Sequence, residues 1–434
     1  MKISILGAGL AGSEAALQLA SRNISVNLID SKPNFINEDV YNNSGPAELV
    51  CSNSFKSENS GTGAYLLKEE MKYNGCHLLN IAEKCRVPAG KSLAVDRNLF
   101  SESVLKEISS FNEIEMFFGE NIPDMETLFE RFPAHGYIIA PGPLSENSLV
   151  KSIAGKNCSF YDAIAPLVSR ESLDESKMFW GSRYSKGEAD FLNVPFTEKE
   201  FTKFYNALLE ADSVSSEVPE EKKYFQRCMP VEEMAKRGEK TLLFGPMRPV
   251  GFDVEPRPYA VLQLRTENID RSVFNMVGFQ TRLKYGAQKE VFRLIPGFES
   301  ADFLRFGSMH RNSYINTPEI ADGDFFLKKR KNSIVAGQLS GVEGYNESMW
   351  SGMWAAFRFV ARKKNRFITL PPLKTMTGGI MKKLSTPVYD FQPVSADFSV
   401  IFNPTRKRGK EKKLFYVEDA LKAYRDFSDK HLKI

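Results

Sequence analysis

The chain has 434 residues, 42% hydrophobic and 26% charged, an ordinary globular composition that the usual length scale divides into two or three domains. No run approaches the roughly 18 apolar residues of a membrane-spanning helix, and the N-terminus reads as a strand and not as a signal peptide. Five cysteines (Cys51, Cys76, Cys85, Cys158 and Cys228), without any C-x-x-C spacing, argue against a disulfide framework and a zinc knuckle, so no metal is expected and a reducing cytoplasm fits. The net charge of +4 is unevenly spread: Arg358 to Lys413 holds fourteen Lys or Arg and three acids. A solvated basic tail and a polyanion contact both fit that run.

In chain order, Lys2 to Leu6 is an apolar strand, followed by Gly7-Ala8-Gly9-Leu10-Ala11-Gly12 and a helical run through Ala20. A second strand, Ile24 to Ile29, ends in Asp30. Glycines at G-x-G-x-x-G spacing let the backbone turn sharply onto a pyrophosphate seated at the helix N-terminus, while the acid accepts from ribose hydroxyls. Gly7, Gly9, Gly12 and Asp30 are therefore assigned to a dinucleotide, which this motif leaves as either FAD or NAD. Helices are expected around Leu66–Met71 and from Val95 through Leu105, and a buried strand at Gly136–Ala140, ending in Pro141-Gly142-Pro143. From about 175 to 285 charged helices (Thr197–Glu210, Val231–Arg237) alternate with strands (Tyr259–Arg265, Ser272–Phe279), which reads as an inserted domain. Ser333–Gly337 returns to the buried-strand pattern, before Gly341-Val342-Glu343-Gly344-Tyr345 and a long helix through Arg362. The fold class is α/β: a split Rossmann-like domain over 1–175 and 285–434, with an α+β insertion at 176–284.

Glu48-Leu49-Val50-Cys51-Ser52-Asn53-Ser54 places a thiol among polar residues suited to an exposed loop. A lone cysteine is more often a small buried hydrophobe, and Cys76, Cys85 and Cys158 are read that way. Cys228 stands beside Arg227, a cation that favours the thiolate.

These segments, with Val87-Pro88-Ala89-Gly90, Ser182-Arg183-Tyr184, Phe244 to Gly251, Gly278-Phe279-Gln280-Thr281 and Met309-His310-Arg311-Asn312, occur in an order that resembles the folate- and FAD-dependent RNA (uracil-5-)-methyltransferases. The resemblance extends over nearly the whole chain. It implies an FAD-binding domain of the glucose-inhibited division protein A type. It also implies methylation of uridine carbon 5 in the T loop of tRNA, with methylenetetrahydrofolate as one-carbon donor and NADH or NADPH as the source of electrons. Cys51 and Cys228 match the family's functional cysteines: one adds to carbon 6 of the uracil, the other handles the proton on carbon 5. We assign the first role to Cys228 and the second to Cys51, though the sequence permits the exchange.

His310 matches the position that stacks the pteridine of the folate, with Arg311 and Asn312 as possible hydrogen-bonding neighbours. Gly337, Gly341, Gly344 and Tyr345 match a second flavin contact. Arg406, Lys407 and Arg408 are assigned to RNA from the basic run. Trp350 and Trp354, at i and i+4, share a helix face and are read as core packing. Three rivals stand beside this reading: the same chemistry on large-subunit ribosomal RNA, a wobble-uridine modifier (expected to be longer, with a helical C-terminal domain), and a flavoprotein that binds RNA without catalysis.

Overall fold

The computed structural model describes the chain apart from residues 35–44, 156–157, 186–187, 215–228, 390 and 434, and apart from the side chains of 158–162, 185 and 311. Cys228 lies outside the described residues.

The first sheet has six strands, in the order Phe326–Leu327, Arg330–Val335, Gly136–Ile139, Lys2–Leu6, Ser25–Asp30 and Ile114–Phe118. All its neighbours pair in parallel except the outermost Phe326–Leu327. Chain from both ends of the sequence thus meets in one sheet, since Val335 pairs Ile139, and Ile139 pairs Leu6. Parallel strands buried on both faces need unbroken apolar runs, and Ile3, Ile5, Val26, Leu28, Ile138 and Ile139 are all buried.

The Leu10–Ala20 helix is buried along its whole length. Its alanines let the long Tyr345–Lys363 helix approach closely: a Cβ at Gly352 would overlap the backbone of Ala11. Trp350 and Trp354 are buried in that interface region of the core, as their spacing suggested.

The second sheet is antiparallel, in the order Phe179–Gly181, Phe191–Phe196, Ala260–Thr266, Val273–Met276, Leu167–Ser169 and Phe303–Arg305. Its core is separate and aromatic, including Phe196, Phe204, Phe274, Phe279 and Phe292. The Glu198–Glu210 helix packs Phe201, Phe204 and Leu208 into it. That helix begins where a capping box predicts, with Thr197 and Glu200 satisfying each other's free backbone N–H groups. Two of the sheet's strands, Leu167–Ser169 and Phe303–Arg305, lie in sequence on either side of the 176–284 segment expected from sequence texture.

Two strands, Cys158–Ala163 and Met309–Tyr314, pair antiparallel where the chain leaves the first sheet and returns to it. Hydrogen bonds also join the antiparallel sheet to the chain around Cys51 and before the Arg97–Ser109 helix. Asn53 Nδ2 donates to Val95 O and to Thr266 O, both at 3.0 Å, and Gly90 N donates to Asp190 Oδ2 at 2.7 Å.

Candidate functional site

A cavity of about 590 Å³ opens at the carboxyl edge of the parallel sheet. Ligands in open α/β sheets bind at that edge, and the volume lies within the usual range for small-molecule sites, roughly 300–1,000 Å³.

Gly7, Gly9, Leu10 and Ala11 form one wall, where the first strand turns into the Leu10–Ala20 helix. Gly7 is left-handed, at φ +100°, and a Cβ there would overlap Ala140 O. Gly12 packs so tightly under the turn that a Cβ would overlap Gly7 O. Gly9 is the opposite case: nothing lies within 4 Å of where its Cβ would stand, and it lines the cavity. No side chain caps the helix N-terminus. An open glycine beside uncapped N–H groups is a cradle shaped for a phosphate.

Asp30 ends the second strand and also lines the cavity. Its Oδ2 accepts from Ala8 N at 2.5 Å and its Oδ1 from Lys32 N at 2.9 Å. Each oxygen keeps a further lone pair for a ribose hydroxyl. These groups fit a dinucleotide.

The remaining lining carries the groups suited to chemistry: Val50, Cys51, His310, Asn312, Gly337, Gln338 and Tyr345. Gly337, at φ +69°, ends the Arg330–Val335 strand against Ala11, and Ser351 Oγ accepts its N–H at 2.7 Å. Gly341 and Gly344 are also left-handed but stand outside the lining: Gly341 packs against Phe391, and Gly344 is the N-cap of the Tyr345–Lys363 helix. His310 is buried, on a strand whose register sets it opposite Asp162. Asn312, two residues on, is 3% exposed, and its Oδ1 has no hydrogen-bond partner among the described residues. A buried acceptor left open on a cavity wall invites a donor from a ligand.

Cys51 is half-buried, and its loop is held by one phenol. Tyr345 Oη accepts from Cys51 N at 2.9 Å and Ser52 N at 3.1 Å, and donates to Ser52 O at 3.0 Å. The Cys51 Sγ lies 3.3 Å from the same oxygen. Burial first, then the charge of the neighbouring Cys51, pushes the Tyr345 phenol well above the ordinary tyrosine range, so it keeps its proton. The expectation of a wholly exposed polar loop needs correcting. Asn53 is fully buried, because its amide bridges Val95 to Thr266 of the antiparallel sheet, and Ser52 is half-buried.

By contrast, Cys76 and Cys85 are buried, and burial raises both thiols. Arg406, Lys407 and Arg408 are exposed just before the Gly409–His431 helix, and Lys407 pairs with Glu411 at 2.9 Å. The motif reading overlooked the buried Lys32–Glu48 pair (3.7 Å) that lines the cavity, and Arg97, whose Nη1 donates to Leu49 O at 2.6 Å. No local pattern marks either, since their partners are set by the fold.

The family model described as "Glucose inhibited division protein A" matches residues 2–366. A protein of Lawsonia intracellularis named methylenetetrahydrofolate–tRNA-(uracil-5-)-methyltransferase TrmFO is 45% identical over 429 residues, 96% of this chain and 95% of that one. One of the same name from Staphylococcus haemolyticus is 43% identical over 432 residues, 97% of both chains. Among solved structures, Aquifex aeolicus GidA aligns with a TM-score of 0.69 at 13% identity, covering 99% of this chain and 73% of that one, a likeness of fold.

Proposed function

The chain belongs to the methylenetetrahydrofolate–tRNA-(uracil-5-)-methyltransferase family, within the wider glucose-inhibited division protein A family, and from that premise we propose how its residues carry out the reaction. It is an enzyme that methylates carbon 5 of a uridine in tRNA, with folate and FAD. When bound, FAD and methylenetetrahydrofolate supply the reducing equivalents and the one-carbon unit.

The reading of the site rests on one observation: Cys51 and His310 line the same cavity as Gly7, Gly9, Asp30 and Gly337. Gly7, Gly9 and the Leu10–Ala20 N-terminus hold the pyrophosphate, and Asp30 holds the ribose. Gly337 and Tyr345, which line the same cavity, would border the flavin ring, and Gly341 and Gly344 would shape the turn between them. His310 would offer a flat face to the pteridine of a bound folate, and the open Asn312 Oδ1 could accept from one of its N–H groups. Carbon 5 of uracil is a weak nucleophile until a thiolate adds to carbon 6, the role assigned to Cys228. Cys51 then takes the proton from carbon 5, with its loop fixed by Tyr345. The electrons come from a nicotinamide cofactor, NADH or NADPH. Arg406, Lys407 and Arg408 meet RNA phosphates, and the antiparallel sheet with its helices forms the substrate-side domain. The compartment is the cytoplasm, which holds the RNA and both small molecules.

The test is methylation of tRNA and ribosomal RNA transcripts in parallel, with labelled methylenetetrahydrofolate, NADPH and FAD. We expect 5-methyluridine in the tRNA. Label only in ribosomal RNA would overturn the substrate, and label in neither would overturn the activity.

A further inference from the structure

Three arginines distant in sequence cluster near Cys51, and two of them, Arg97 and Arg305, hold the backbone immediately before it. Arg97 opens the Arg97–Ser109 helix, Arg265 lies in the Ala260–Thr266 strand, and Arg305 ends the Phe303–Arg305 strand. Arg97 Nη1 donates to Leu49 O (2.6 Å) and to Val50 O (3.4 Å), and Arg305 Nη1 reaches Val50 O at 3.4 Å. The carboxylate they share is Glu267, 2.5 Å from Arg97 Nε and 3.8 Å from Arg265 Nη2.

Among the described residues, Arg97 Nη2, Arg265 Nε, and Arg305 Nε and Nη2 are buried without a hydrogen-bond partner. None of the three guanidiniums belongs to the cavity lining. Three buried cations around one carboxylate leave positive charge uncompensated, a costly arrangement unless another anion stands close. Each of the three interacts electrostatically with Cys51 and Tyr345. Burial, followed by the like charge of Arg97, pushes Arg305 down to about 10, whereas burial and then Glu267 act oppositely on Arg97 and leave it raised. Tyr345 keeps its proton, which leaves the sulfur as the group able to supply the anion.

We propose that Arg97, Arg265 and Arg305 are positioning residues that hold Cys51 as a thiolate in the resting holoenzyme. The step is a single ionisation. The thiol proton leaves to solvent through the cavity, and the Tyr345 O–H, 3.3 Å from the sulfur, turns from Ser52 O to donate to it. The groups facing Cys51 from the cavity act differently. Lys32 and Glu48 neutralise each other, the Asp30 carboxylate is buried and accepts from Ala8 N and Lys32 N, and Glu120 and Glu146 oppose the arginines through solvent. Lys56 and Glu347, beside Gly344, form a further self-neutral pair at 2.8 Å. Burial and hydrogen bonding favour the arginines over these partly solvated acids. The assignment rests on the reading of Cys51 as the proton acceptor at carbon 5, since an acceptor must be ionised before the substrate arrives.

The test is carboxamidomethylation of the flavin-loaded enzyme by iodoacetamide across pH, with the Cys51 peptide followed by mass spectrometry. Arg305→Gln should raise the midpoint by about one pH unit, while Arg305→Lys stays near wild type. Arg305 is chosen because it touches the loop only through Val50 O, at 3.4 Å, whereas Arg97 also holds Leu49 O at 2.6 Å. Glu267→Gln should shift the midpoint the other way, a sign that general structural damage would not produce. An unchanged midpoint in flavin-loaded Arg305→Gln overturns the proposal. Should that variant fail to retain flavin, Glu267→Gln decides: a lower midpoint supports the proposal and any other result overturns it. Methylation by Cys51→Ala at the wild-type rate would sink the catalytic reading of Cys51 alone, because the alkylation profile is measured without turnover.

Discussion

The glycine turn after the first strand and the arginine cluster beside Cys51 both face negative charge, and they are built in opposite ways. The turn is one short run, Gly7 to Gly12, that leaves backbone N–H groups uncapped at the helix N-terminus and carries no charge of its own. Its specificity is steric: no Cβ fits at Gly7 or Gly12, while Gly9 is left open. The cluster draws Arg97, Arg265 and Arg305 from three elements and works through full charges buried from water. The first is therefore sensitive to a methyl group, and the second to a unit of charge.

The largest effect should come from Gly12→Val. Its Cβ would overlap Gly7 O, and overpacking of this kind costs about 3 kcal/mol or more. Purified variant should lack the yellow flavin band; a protein of wild-type absorbance would mean the turn yields more readily than its contacts indicate. Cys51→Ala should separate the two regions, lowering turnover by about a thousandfold while leaving flavin content intact. Full activity in labelled-folate assays would remove the sulfur from the mechanism. Stripping the flavin should lower thermal stability by an amount set by mass action, about 2.7 kcal/mol relative to FAD at a hundred times its Kd. The same apoprotein should keep the wild-type alkylation midpoint at Cys51, because the arginines are anchored to protein; a large rise would tie the two regions together. Smallest is the exposed cation set. Replacing Arg406, Lys407 and Arg408 with Gln should raise KM for tRNA and reduce the slope of log affinity against log salt by about 2, with flavin content unchanged. An unaltered slope would show these side chains to be merely solvated.

Much of this was readable from local pattern. The strand–glycine–helix opening, Asp30, the Tyr345–Lys363 helix and the paired tryptophans all follow from spacing, because each depends on neighbours within a few residues. The order of matched segments likewise points to the family. Sequence texture was a poorer guide around Cys51. Polar flanks suggested exposure, yet Asn53 is buried because its amide serves two carbonyls more than forty residues away in the chain.

By itself, then, the order of residues determined a dinucleotide cradle, a two-part cofactor sheet and a thiol loop at residue 51. Tertiary structure alone decided that His310 and Cys51 share a wall, that Tyr345 secures the thiol loop rather than merely flanking a glycine turn, and that three remote arginines surround one carboxylate. The division has a physical cause. Backbone turns and helix faces are set by steric rules acting over a few residues, whereas buried charges find their partners only when separate elements close and exclude water.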